Sequence, residues 1–433
     1  MSSTIIFPIE TSSRELLYKV YLSHELAVRG YKCYIGEKNA VNKLIQRSSR
    51  YIYFDKGYHK DLSEKYYEVI KKREGIIVSL DEEGAVDYDD NSTLLTRYPR
   101  EMINNVDHIF LWGNRQLNLI KNLTTDLKKF TVSGHPRFHL LKKEFHYLYE
   151  DQSKDILLKY GDFILINTNM GFGNNIKGED FVLSNYANRI KKLDQIIEFD
   201  KQKLNSIINM VKDLSLRTEM KIIIRPHPEE DASIYRKNLK GCKNVEVLYE
   251  GSVIPWLLAC KRLIHTDCTT AIEYYLLGGT PLSLLPAGFQ RALVTELPLL
   301  VSESFSKSDE IIDRLFAFDS DSSLLTINPV VEDSFATSLN SIQTICEKIS
   351  SEFKLNSTFN DTDRFSFKEI SQACFRRFIN RFFRGNKALQ LKENKLNGFS
   401  LKATRGIVNK MNSKMDTSVN VKEVYPGLFS IGL

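Results

Sequence analysis

In the run Lys221-Ile222-Ile223-Ile224-Arg225-Pro226-His227-Pro228-Glu229, a β-branched strand stops at two prolines that flank a histidine. Proline gives the ladder no N–H, so the chain must turn and present Arg225 and His227 at the strand's carboxyl end. An imidazole there suits a phosphate or a departing oxygen; on this segment alone, the cap of a tight turn is an equal alternative. About 40 residues on, a second strand, Leu263-Ile264-His265, runs into Thr266-Asp267-Cys268-Thr269-Thr270 and a helix that carries Glu273. Backbone N–H groups and the positive dipole end of a helix hold anions. Thr269 and Thr270 are thus candidates for a phosphate or diphosphate, and Glu273, three or four residues further on, for ribose hydroxyls. The competing reading is an ordinary N-cap with Glu273 closing a capping box. Between the two, Glu250-Gly251-Ser252-Val253-Ile254-Pro255-Trp256 forms a third strand-to-helix turn, in which Gly251 and Ser252 can approach a nucleotide and Trp256 is a core residue. Three successive turns carrying His, Ser and Thr-Thr make one coherent nucleotide-binding rim.

A different chemistry is written in the first half, where Asp81, Glu82, Glu83 and Gly84 directly follow an apolar strand. Acids crowded at a strand end raise one another's pKa, which tunes a general acid or base. A solvated acidic turn ended by Gly84 is the alternative. Glu10 and Arg14, on the first strand-to-helix turn, are candidates for acceptor contacts, although Ser12 or Ser13 before Arg14 is also a plain N-cap. His135 and Arg137, in Gly134-His135-Pro136-Arg137, are candidates for a donor carboxylate or phosphate.

These residues need a scaffold, and the pattern supplies one. Short β-branched runs alternate with amphipathic helices from Thr4 onward, which predicts a parallel sheet covered on both faces. After a polar stretch the alternation starts again at Phe163. The expected architecture is α/β: two Rossmann-like domains, 1–155 on the acceptor side and 156–346 on the donor side, facing a central cleft, followed by a basic helical extension at 347–433. A chain of 433 residues is comfortable for two domains of about 150 to 200 residues each.

Composition excludes other classes. With 42% hydrophobic and 26% charged residues the chain belongs with folded globular proteins. No apolar run reaches the ~18 residues that span a bilayer. The first ten residues lack secretion features, and six scattered cysteines without CxxC pairing suit a reducing cytoplasm and argue against a zinc site, so a cytoplasmic protein is expected. The net charge of +6 hides an asymmetry: Phe367 to Lys414 holds twelve Lys or Arg against Glu369 and Glu393. That segment interleaves Phe375, Phe378, Phe382 and Phe383 with Arg376, Arg377, Arg381 and Arg384. A helix of that kind fits a peripheral contact with an anionic inner membrane better than nucleic acid, and a core-packing helix with a solvated basic face equally well.

As a set, Pro8-Ile9-Glu10 to Arg14-Glu15, Leu80 to Gly84, Phe110-Leu111-Trp112-Gly113, Gly134 to Phe138, Arg225 to Pro228, Glu250 to Trp256 and His265 to Glu273 resemble a family of bacterial surface carbohydrate biosynthesis proteins. The His-Pro and Thr-rich turns are more distantly similar to those of the GT-B transferases for Kdo and sialic-acid-type sugars. That resemblance implies a GT-B glycosyltransferase of O-antigen or capsule synthesis. It would use a CMP-activated donor without a metal or other cofactor, and a glycan or lipid-linked oligosaccharide acceptor. His227, Ser252, Thr269 and Thr270 would contact the nucleotide. Retaining members use a carboxylate nucleophile. Here Asp81 and Asp194 are the acids that could serve, and Asn167-Thr168-Asn169-Met170 carries none. A UDP-sugar transferase, a CDP-polyol phosphotransferase of the teichoic-acid type, and a non-catalytic sugar-nucleotide-binding subunit remain as alternatives.

Overall fold

The computed structural model describes residues 3–60, 62–84, 92–187, 190, 192–317, 327–353, 365–382 and 395–433. The strands are β1 (Thr4–Ile9), β2 (Lys32–Glu37), β3 (Ile52–Asp55), β4 (Ile76–Leu80), β5 (His108–Leu111), β6 (Phe130–Val132), β7 (Phe163–Asn167), β8 (Lys221–Arg225), β9 (Val245–Val247), β10 (Arg262–His265), β11 (Leu282–Leu284), β12 (Glu303–Phe305), β13 (Asn420–Tyr425) and β14 (Leu428–Gly432).

The chain divides into two compact units. The first holds Met1–Gly84, Thr93–Leu140 and Pro329–Leu433; the second holds Leu141–Asn328. The first unit's sheet runs β13-β14-β2-β1-β3-β4-β5-β6, parallel from β2 to β6. Its order reverses beside β1, between β2 on one side and β3 on the other, which makes the carboxyl ends of β1 and β3 a topological switch point. Every residue of β1 is buried, as a strand covered on both faces requires. Pro8 gives no ladder N–H, and the β1–β3 pairing accordingly covers Ile5 and Ile6 and stops before it.

The second unit's sheet, β12-β11-β10-β7-β8-β9, is parallel throughout and has its own switch point at the ends of β7 and β10. Its longest cover is the helix Leu193–Arg217, which buries Ile196, Ile197, Leu204, Ile207, Ile208, Val211 and Leu214 at helical spacing and exposes Asp194, Glu198, Lys212 and Asp213, while Asp200 and Lys203 turn inward with the apolar face.

The structure draws the boundaries differently from the expected 155/156 and 346/347. Residues 150–160 form a helix inside the second unit, and residues 329 onward pack with the first. Close backbone approach explains the second point: a Cβ on Gly113 would lie 2.2 Å from the Asp333 carbonyl oxygen. Only glycine admits that contact, and Phe335 then reaches the rings of Trp112 and Phe138. Nor is the extension only helical. β14 runs antiparallel along β2, with Leu428 opposite Gly36, where a Cβ would meet the Leu428 side chain at 2.5 Å.

Among the described residues no helix is long and apolar enough to cross a membrane.

Candidate functional site

The first unit's acids are fixed by charges that the sequence pattern did not point to. Lys19, on the helix Ser12–Val28, is fully buried. It donates to Glu15 at 2.8 Å and to the Pro8 carbonyl at 2.8 Å, and lies 3.0 Å from Glu82. Tyr18 donates to the same Glu82 oxygen. Burial alone would raise Glu82; Lys19, His135 and Tyr18 outweigh it and hold this carboxyl well below its usual range. A carboxylate held so low is a weak base. His135 is buried as well, its ring set edge-on to Trp112 and Tyr18. Its Nδ1 accepts from the Arg137 N–H at 3.0 Å, so Nε2 carries the proton and faces Glu82 at 3.7 Å, beyond hydrogen-bond length. Burial lowers His135 to about 4, which makes it neutral at pH 7. Arg137 lies against the rings of Phe138 and Trp112.

The neighbouring acids differ. Glu83 is partly exposed and faces two guanidiniums, Arg97 at 2.7 Å and Arg14 at 3.6 Å. Burial works to raise it, yet Arg97 and Arg14 bring it down to about 2. Asp81 is buried and bridged by the other arm of Arg97 at 3.0 Å, and burial raises it. Its Oδ2 has no hydrogen-bond partner among the described residues. Of the three adjacent acids, Asp81 alone is shifted toward proton acceptance at higher pH. Glu10 stands at the end of β1, paired with Lys56; burial opposes ionisation, but Lys56 prevails and Glu10 falls to about 2. Thr11, not Ser12 or Ser13, is the N-cap of the first helix, and Glu15 reaches back to its N–H at 2.8 Å.

In the second unit the loops after β7, β8 and β10 are tied together by two buried groups. Glu230, 3% exposed, accepts from the Thr168 hydroxyl at 2.8 Å, the Met170 N–H at 3.0 Å, the His227 N–H at 3.2 Å and the Tyr235 hydroxyl at 2.5 Å. Lys203 is the other, 2.8 Å from Asp200, 3.0 Å from Asp267 and 3.3 Å from the Asn169 carbonyl. Asp200 in turn accepts the N–H groups of Phe172 and Gly173 at 3.0 and 3.1 Å. On that frame sit the candidates. His227 is half-buried, its Nδ1 accepting from the Glu229 N–H at 3.3 Å, and a Cβ on Gly171 would lie 3.5 Å from that nitrogen. Thr270 begins its helix and accepts from Asn167 Nδ2 at 3.1 Å, across the switch point, while Asn167 Oδ1 is buried with no partner among the described residues. Thr269 is the N-cap, partly exposed, with no side-chain cap bond.

Other candidates occupy different places. Arg225 is buried beneath Trp256 and donates to the carbonyls of Glu250 at 2.7 Å and Gly251 at 3.1 Å. It shapes the turn that displays the partly exposed Ser252. Glu273 is buried, close enough to Tyr149 to add to the rise that burial gives that phenol. Asp194 is exposed in the first turn of the helix Leu193–Arg217, where a carboxylate complements the helix dipole. Among the described residues no group of three or more His, Cys, Asp or Glu is placed to hold a metal ion.

Glu15–Lys19 and Asp200–Lys203 are spaced i,i+4 and i,i+3, a signal usually read as surface pairing, and that is why the sequence alone did not single them out.

No family model and no curated protein matches this sequence. Solved structures do match by shape. A variant of the wall teichoic acid polymerase TagF superposes with a TM-score of 0.52 at 12% identity, over 81% of this chain and 89% of that one. UDP-GlcNAc 2-epimerase from Methanocaldococcus jannaschii gives 0.52 at 10% identity, over 81% of this chain and 100% of that one. The fold is GT-B. The Neisseria meningitidis UDP-GlcNAc 2-epimerase bound to UDP-GlcNAc matches at 0.50 and 13% identity, over 81% and 100% of the two chains. In a GT-B protein each Rossmann-like unit offers the carboxyl ends of its own strands, and here both switch points carry the polar groups described above.

Proposed function

We propose that this GT-B chain is a glycosyltransferase of bacterial surface polysaccharide synthesis. The nucleotide-activated donor is held on the second unit's rim and the acceptor glycan on the first unit. The observation that carries the reading is the convergence of three loop ends on the second unit's switch point: Asn167 bonded to Thr270, and His227 locked beside Gly171 by Glu230. Hydroxyls, an imidazole and helix-start N–H groups on a rigid base suit a nucleotide phosphate. The donor in this reading is a CMP-linked Kdo or nonulosonic sugar, following the family resemblance. His227 would steady the departing phosphate, and Asp81 is the acid whose setting best suits proton transfer or attack. The transfer so drawn asks no metal of the protein. A UDP-linked donor is the second reading, favoured by the neighbour that binds UDP-GlcNAc.

A thermal-shift screen with CMP, CDP, UDP and GDP tests this. CMP at 100 times its Kd should stabilise the protein by about 2.7 kcal/mol. The shift should vanish in His227→Ala and Thr270→Ala and persist in Thr270→Ser. A response to UDP or CDP alone transfers the proposal to the UDP-sugar or CDP-polyol alternative, and silence toward all four removes the sugar-nucleotide reading.

A lipid-linked acceptor would bring the enzyme to a membrane, and the helix Phe367–Phe382 supports that part of the proposal. Ile370 and Ala373 pack on the first unit's core while Arg47–Glu369 and Glu37–Arg377 pairs pin the helix. Phe367 and Phe375 are left 86% and 63% exposed beside Lys368 and Arg376. Side chains of Phe378, Arg381 and Phe382, and all of Phe383 and Arg384, lie outside what the structure describes. Co-sedimentation with phosphatidylglycerol vesicles, absent with phosphatidylcholine and lost in the Phe367→Ser, Phe375→Ser double variant, is the expected result. Equal sedimentation of wild type and double variant would remove the membrane contact.

A further inference from the structure

The first unit's own switch point opens on a pocket lined by the ends of β1 and β3 and the segments around them. Asp55 belongs to its lining, although only 5% exposed. The Asp55 carboxylate is used unevenly. Oδ2 accepts from the Tyr67 hydroxyl at 2.9 Å, the Ser79 hydroxyl at 3.1 Å and the Gly57 N–H at 3.2 Å. Oδ1 accepts from no protein donor among the described residues. Three donors therefore lock the rotamer and leave one acceptor oxygen for whatever enters the pocket. Buried carboxylate oxygens generally find a donor.

The rest of the lining narrows the choice of ligand. Lys56 is paired with Glu10, and Lys38 lies over the Tyr66 ring at 5.3 Å, so the cations of the wall are engaged by the wall itself. An anion entering would meet Glu10 and Asp55, and an apolar ligand would leave Oδ1 without a donor. A neutral, polyhydroxylated ring answers each feature: its hydroxyls donate to Asp55 and accept from Lys56 or His59, and its C–H face lies against Tyr53 or Tyr66. We infer that this pocket binds a sugar ring whose hydroxyl donates to Asp55. The inference rests on the glycosyltransferase reading only in taking that ring as the end of the acceptor glycan.

Saturation-transfer difference NMR on the full chain, with methyl glucoside, methyl galactoside, methyl mannoside and inorganic phosphate as probes, decides it. At least one glycoside should receive saturation in wild type, with affinity reduced at least about tenfold in Asp55→Asn at an unchanged melting temperature. Asparagine keeps an oxygen for the three inward donors and turns the pocket atom from acceptor to donor. His59→Ala, at the exposed mouth, supplies a reduced signal that does not depend on the buried site refolding. Transfer to none of the glycosides, transfer undiminished in both variants, or binding of phosphate alone would overturn the inference. A CMP shift without glycoside binding would sink it and leave the glycosyltransferase reading standing, whereas glycoside binding without any nucleotide response would do the reverse.

Discussion

Replacing Lys203 by methionine should destabilise the second unit by about 3–5 kcal/mol, the usual cost of removing one partner from a buried ion network. It should also erase the nucleotide response at temperatures where the variant is still folded. Lys203 stands between Asp200 and Asp267, all three buried. Burial works to lower Lys203, but the two carboxylates hold it above its ordinary range, so it is charged throughout the working pH. Without the ammonium, Asp200 and Asp267 face each other unneutralised, and the Asn169 carbonyl loses its donor. These groups set the loops after β7 and β10, so the damage reaches Thr270 without touching it. Asp200→Asn is the control. It keeps a carbonyl oxygen for the Phe172 and Gly173 N–H groups and should cost clearly less. Urea unfolding followed by a nucleotide thermal shift measures both effects. A methionine variant as stable as wild type would show that the network is not what holds the rim.

The second large effect is on pH. His135 and His265 are buried in their respective units, and burial lowers each to about 4. In the unfolded chain each would take its proton as pH falls through 6.5, whereas the folded chain resists until about 4. Between those values the unfolded state binds more protons, so stability is lost as pH falls, by about 2 kcal/mol per histidine at pH 5. Glu82 acts in the same direction but at lower pH. Its depressed pKa adds stability that is present above its ordinary value of 4.5 and lost only as pH falls through a much lower folded value. Asp81 and Asp200, raised by burial, take their protons in the folded state first and offset part of the loss. Melting temperatures at pH 7 and pH 5 should therefore separate clearly. The gap should narrow in His135→Asn, which keeps an acceptor for the Arg137 N–H, and in His265→Gln, which keeps a donor for the Ser302 hydroxyl oxygen. Variants that lose as much stability as wild type would place the titration elsewhere.

Much of the scaffold was legible because its cause is local. The runs at Thr4, Cys33, Tyr51, Phe163 and Lys221 are apolar and β-branched, and all become strands buried in parallel sheets. The Pro-His-Pro turn ends β8 as proline chemistry requires, and Thr269 and Thr270 do start a helix. The hairpin of β13 and β14 was not legible. Its strands lie beyond the basic run that ends at Lys414, and its partner β2 is almost 400 residues away in sequence. Asp81, Glu82 and Glu83 look equivalent in sequence, but Glu82 lies beside Lys19, Glu83 between Arg97 and Arg14, and Asp81 shares Arg97 while burial raises it.

The sequence by itself determined the alternation of strands and helices and the polar turns at the strands' carboxyl ends, because periodicity and proline or hydroxyl chemistry act over a few residues. Tertiary structure alone decided which acid is neutralised, which arginine supports a turn rather than a ligand, and that Asp55 keeps one oxygen without a donor among the described residues. Those outcomes depend on burial and on charges brought together from distant segments, and neither is encoded in local spacing.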